Sequence, residues 1–164
     1  MSRHMIIFPS SSMGKGENTA KVEVVLKNLE VLKPETILYS NIFTRFSGHF
    51  FDPIAHLLKN YPLTLVEQLQ YDNSLEYANY VLARLDCQNN EYYLVTHWFQ
   101  IPRIYLFTLI LGQKMRFIAS YPKFSAKLII NIVGEIFKLP ILTGTLIGQK
   151  INQKLKNSFS KLRT

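Results

Sequence analysis

An α/β fold, doubly wound around a mainly parallel sheet of about five strands, is what this sequence predicts. One observation is a set of short, near-continuous apolar runs such as YYLV at 92–95, too short for helices and bounded by polar residues. Another is their alternation with longer segments whose apolar residues recur at helical spacing. The third is size: 164 residues suffice for one domain with a real core. The division expected is an α/β domain over 1–148 and a basic amphipathic C-terminal tail over 149–164, read as a helix.

HMIIFP (4–9) reads as a short buried strand, and SSSMGKGENT (10–19) as a polar, glycine-bearing loop that opens a helix near Asn18. Val22, Val25, Leu26, Leu29 and Leu32 then line one helical face until Pro34 forces an exit. TILYS (36–40) is the second strand. After the loop NIFTRFSGHFF, Asp52 and Pro53 form a cap and first helical position, and IAHLLKN continues that helix to a turn at Tyr61 and Pro62. LTLVEQL (63–69) is the third strand. YDNSLEYANYVLARL (71–85) follows as a helix capped by Asp72 or Asn73, with Leu75, Ala78, Val81, Leu82 and Leu85 as its apolar face. EYYLVT (91–96) is a fourth strand, PRIYLFTLILG (102–112) a helix, and MRFIAS (115–120) a fifth strand.

In a Rossmann-like sheet of this kind, ligands bind outside the carboxyl ends of the strands, where helix N-termini also point their free N–H groups. The residues delivered there are Ser10, Ser11 and Ser12, then Ser40 and Asn41, then Glu67, then Thr96 and His97. Placing the first strand between the second and the fourth would put Ser10 and Thr96 at the point where the strand order reverses.

At these positions the chain resembles the YdcF-like family, the group that includes SanA and ElyC. Its segments TILYSN, NSLEYANYVLARL and YYLVTHWFQIPRIYLF, and the later helix carrying Gly134 and Glu135, follow the family's order over nearly the whole chain. Each motif is short; order and spacing carry the likeness. Ser40, Asn73, Ser74, Glu76, Ala78, Thr96, Pro102 and Arg103 match the pattern. Departures fall on Asn41 and Ile42 in place of paired glycines, on Tyr77 in place of an asparagine, on His97 in place of a serine and on Gln100 in place of a histidine. An amide does not titrate, so Gln100 cannot supply the acid-base chemistry of that histidine. His97 and Glu76 are the catalytic candidates that remain. The resemblance implies a small-molecule ligand, with S-adenosylmethionine as a candidate cofactor, and for some members a link to the bacterial cell envelope; it implies no settled reaction. Asn73, Ser74, Glu76, Gln100 and Arg103 join the ligand-binding candidates through it.

Arg103 at a helix start opposes the positive end of the helix dipole and so calls for an anion or a carboxylate such as Glu76. The GKG at 14–16 lacks the leading glycine and closing Ser/Thr of a phosphate-binding loop, and GxGxxG is absent. Among His49, Asp52 and His56 only the last two share a helix face, so capping and packing outweigh a metal site. There is no GxSxG elbow. The single cysteine, Cys87, excludes an internal disulfide and a CxxC cluster.

The net charge of +8 is unevenly spread. Residues 1–100 hold 8 Lys/Arg against 10 Asp/Glu, whereas 101–164 hold 11 against Glu135 alone. No aromatic-interleaved nucleic-acid motif accompanies the basic residues, so no specific nucleic acid is expected. In the tail, Ile151, Leu155, Phe159 and Leu162 form one seam and the lysines lie elsewhere. Such a segment can rest on an anionic membrane surface or pack its seam on the domain. The five-residue apolar run before Pro9 is too short for a signal-peptide core, which predicts a cytoplasmic protein, with the tail allowing peripheral attachment at the inner face of the membrane. Leu128–Gly148, the nearest candidate for a membrane span, is interrupted by Glu135, Lys138 and Pro140. Three function classes stay open: an active YdcF-like enzyme, a diverged ligand-binding relative, and a peripheral membrane or interaction protein.

Overall fold

The structure, a computed structural model, describes residues 2–7, 15–40, 65–69 and 74–161. Strands β1 (Ser2–Ile7), β2 (Thr36–Ser40), β3 (Leu65–Leu69), β4 (Asn90–His97) and β5 (Arg116–Ser120) form one parallel sheet in the order β3-β2-β1-β4-β5. The first strand is therefore central, between the second and the fourth, as the sequence reading places it. Ile6 stands level with Leu38 on one side and Leu94 on the other. β1 takes in Ser2 and Arg3 ahead of the expected HMIIFP, while Phe8 and Pro9 of that run, and Leu63 and Thr64 of the expected third strand, lie outside the described residues.

Side chains of successive strand residues point to opposite faces, and here both faces are covered. Met5, Ile7, Ile37 and Val95 pack with Val22, Val25 and Leu29 of helix α1 (Lys15–Leu32). Ile6, Tyr92 and Leu94 pack on the other side with residues from three later helices. α1 starts three residues before Asn18, inside the expected loop, and its end is set by Lys33, whose φ of 45° is left-handed and whose N–H donates to Leu29 O at 2.9 Å. The helix expected over 52–60 lies outside the described residues.

The segment read as an α-helix over 71–85 is a composite. Its first turn, α2, is α-helical over Ser74–Glu76, but Tyr77–Val81 is π-helical and Leu82–Arg84 is 3-10. A π turn brings residues five apart onto one face, so Tyr77 and Leu82, both fully buried, enter the core together with Ala78 and Val81. The segment's expected caps, Asp72 and Asn73, lie outside the described residues.

β4 runs one residue longer at each end than EYYLVT, then a 3-10 turn (Trp98–Gln100) leads into α3 (Ile101–Leu111) with Pro102 in its first turn. α3 stops at Gly112, which takes φ of 71°; its N–H donates to Leu109 O at 3.1 Å, and that of Gln113 to Thr108 O at 2.8 Å. After β5, Ser125 caps α4 (Ala126–Lys161) by accepting from the Leu128 N–H at 3.1 Å. This 36-residue helix passes through Pro140 and runs unbroken across the division expected at 148/149. Leu146 sits in the core, and Lys150 Nζ donates to Ile110 O at 2.7 Å, so the start of the expected tail is tied to the domain. Despite its interruptions, Ala126–Ser158 is long and apolar enough to cross a membrane by length and composition, with 17% of its most apolar window buried.

Candidate functional site

Polar side chains gather at the carboxyl ends of β4 and β5, where the fold class places a ligand crevice. Strand alternation sends Thr96 and His97 to opposite faces of the sheet. Thr96 Oγ1 donates to Gln100 Oε1 at 2.9 Å, both groups buried. The amide at the resemblance's histidine position thus holds the strand end to the 3-10 turn.

His97 is fully buried, stacked on Phe99 at 5.5 Å, with Nδ1 2.7 Å from Ser120 Oγ. Ser120 Oγ is also 3.3 Å from Thr96 O. If the hydroxyl donates to that carbonyl, His97 donates from Nδ1 and carries its lone pair on Nε2. Burial above all, then the positive charge of Lys21, lowers the His97 pKa to about 2. The ring therefore stays neutral at ordinary pH and is too weak a base to be a good proton acceptor. Its 2.7 Å hydrogen bond with Ser120 Oγ therefore holds the ring in place rather than activating the hydroxyl as a nucleophile.

Arg103, in the first turn of α3, meets Glu135 of α4. Nε donates to Oε2 at 2.7 Å and Nη2 to Oε1 at 3.1 Å, a bidentate pair with both side chains buried. The carboxylate demanded by the helix dipole is thus Glu135 instead of Glu76, which is exposed on α2. The guanidinium also lies over the Phe107 ring, 5.7 Å from its centroid. Lys138 Nζ stands 3.6 Å from Glu135 Oε1 at the partly open edge.

Lys21 of α1 completes the cluster. It is fully buried, and burial followed by the charge of Arg103 lowers its pKa to about 7, while Glu135 pulls it back up. Lys21 and Arg103 thus both feel the buried carboxylate of Glu135, which bonds Arg103 directly. Asn131, one turn before Glu135 on α4, is buried too; among the described residues neither its Nδ2 nor His97 Nε2 has a hydrogen-bond partner. Beside the ion pair lies a cleft of about 200 Å³ walled by Trp98, Phe99, Pro102, Ile132, Ile136 and Leu139. A larger hollow of about 610 Å³ lies at the opposite end of the sheet, around Asp86 and Gln113, away from this cluster.

Of the residues singled out in the sequence, Thr96, His97, Gln100 and Arg103 come together. Ser40 closes β2, and Ser74 opens α2. Ser10, Ser11, Asn41 and Asn73 lie outside the described residues, as do His49, Asp52 and His56. Lys21, Ser120 and Asn131 were missed, and Glu135 entered only through the resemblance. Lys21 did leave a signal: it precedes Val25 by one turn, on the apolar stripe of α1.

The known proteins offer no counterpart: no family model matches, nor does any curated protein or solved structure.

Proposed function

We propose that the chain is a diverged YdcF-like protein whose doubly wound, Rossmann-like sheet binds a small anionic or nucleotide-like ligand at the carboxyl ends of its strands. S-adenosylmethionine is one candidate, through its carboxylate. The observation that carries this reading is the buried grouping of two cations, Lys21 and Arg103, with Glu135 at the carboxyl ends of the strands. A bound anion beside these two buried cations would draw a proton onto Lys21. The cleft beside Arg103 and Glu135 provides the approach. Support for the kinship comes from two separately matched segments, one carrying Arg103 and the other Glu135, that meet in a bidentate pair. Binding without turnover is the function that fits, since Gln100 cannot titrate and His97 is held neutral. A role at the cell envelope follows from the kinship alone.

A thermal-shift series with inorganic phosphate, nucleotides and S-adenosylmethionine at pH 6 and pH 8 tests it. Binding to the folded state raises the melting temperature, and the rise should be larger at pH 6, where Lys21 is protonated. Lys21→Met should keep the fold but abolish the rise. No shift with any of these ligands, or an undiminished shift in the variant, would overturn the proposal.

A further inference from the structure

Helix α4 turns one side to the domain and leaves the other uncovered. Leu128, Asn131, Glu135 and Leu146 face inward. Ile130, Val133, Phe137, Ile141, Ile151 and Leu155 recur at three- or four-residue steps, with Gly144 and Gly148 continuing the stripe between them, and each of the six side chains is 46% to 70% exposed. At about 1.5 Å per residue the stripe is roughly 38 Å long, far more than the scattered apolar residues of an ordinary surface. Just before the helix, Tyr121 and Phe124 are exposed as well.

The charges around this stripe have one sign. Glu135 is the only acidic residue on α4, and it is turned inward onto Arg103. The outward charges are Lys127 at the start and Lys154 and Lys156 beyond the middle, with Lys123 preceding the helix. A second copy of the chain would set lysine against lysine in either orientation. An anionic surface would meet both the apolar stripe and its basic ends.

We infer that the outer face of α4 docks on an anionic lipid bilayer, the helix lying in the plane of the headgroups and the sheet standing on the water side. This goes beyond the ligand reading above and does not depend on it. The apolar contact comes chiefly from 129–148, within the domain, in addition to the terminal segment. Lysine stems reach outward while their ammonium groups meet phosphate, and exposed aromatics suit the same depth. The helix lies flat because its inner face is held: the Arg103 pair and the Lys150 contact with Ile110 O fix it to α3. Crossing would strip Glu135 and Lys138 into hydrocarbon.

Vesicle co-sedimentation of the full chain tests this, with phosphatidylcholine alone and with about one-third phosphatidylserine. The protein should pellet with the anionic vesicles, and partitioning should fall about tenfold in 1 M salt, where screening shortens to about 3 Å. Phe137→Asp with Ile141→Asp, both at exposed positions, should abolish pelleting with unchanged circular dichroism; Lys154→Glu with Lys156→Glu, which leaves the stripe intact, should cut it about tenfold. Trp98, the only tryptophan and 43% exposed beside Ile132 and Ile136, should be quenched by brominated acyl chains. Lys21→Met should bind vesicles as the wild type does, which separates this claim from the ligand site. Equal pelleting with neutral vesicles, or pelleting that survives both variants, would overturn it. So would a concentration-dependent dimer, without lipid, that the Phe137 and Ile141 changes dissolve.

Discussion

Arg103 and Glu135 show how much one buried pair can decide. Removing Glu135 takes the bidentate partner from a buried guanidinium, so Glu135→Ala should cost about 3–5 kcal/mol, and Arg103→Ala less, since Lys138 still stands 3.6 Å from the carboxylate. Arg103→Met combined with Glu135→Leu should cost less than Glu135→Ala alone, because neither member of the bidentate pair is left charged without the other. Denaturant unfolding of the two singles and the double gives the coupling directly. The neighbouring groups set a pH dependence. An unfolded lysine holds its proton to about pH 10.4, whereas folded Lys21 releases it near 7. Between those values the unfolded chain binds more protons, so stability rises with pH by up to about 1.4 kcal/mol per unit. His97 acts in the same direction lower down. Its unfolded pKa is 6.5 and its folded pKa about 2, so stability falls as pH drops below about 6.5. Urea titrations across pH 4 to 10 should show both slopes, the upper vanishing in Lys21→Met and the lower in His97→Asn.

The helix ends obey local rules that single substitutions can test. Gly112, at φ of 71°, is where a side chain would strain the backbone, so Gly112→Ala should destabilise by about 1–2 kcal/mol. Lys33 adopts φ of 45° with a side chain already in place, so Lys33→Gly should be neutral or stabilise by up to about 1 kcal/mol. Thermal melts of the two variants should move in opposite directions or leave Lys33→Gly unmoved. At this same scale the sequence was legible where one period dominated. The continuous apolar runs of β1 and β4 and the stripe of α1 were readable because burial there follows backbone geometry: strands covered on both faces, a helix covered on one. The π turn at Tyr77 was not, since a 3.6-residue pattern through Leu75, Ala78 and Leu82 fits the same apolar residues equally well. Nor was the continuity of α4, because Pro140 ordinarily ends or kinks a helix, whereas α4 continues through it with Pro140 on its exposed side.

For the molecule as a whole, the class of the fold followed from apolar runs separated by helices, and the central place of β1 from the requirement that strand ends converge. The site was half legible. Thr96, His97, Gln100 and Arg103 sit beside one strand end and are neighbours in sequence, but Lys21, Ser120 and Asn131 reach the same spot from other elements, and periodicity does not say which elements touch.

The sheet order also governs how the chain comes into being during synthesis. β1 leaves the ribosome first yet belongs in the middle, and the strand that covers its second edge, β4, follows only after residue 90. Until then the backbone groups of Met5 to Ile7 on that side have no strand partner, an edge open to pairing with another nascent chain. Glu135, which neutralises Arg103, is made later still. A chain halted at residue 89 should therefore be protease-sensitive and prone to aggregate, whereas one extended past residue 150 should resist digestion. Pulse proteolysis of stalled chains of increasing length should show resistance arriving in one late step.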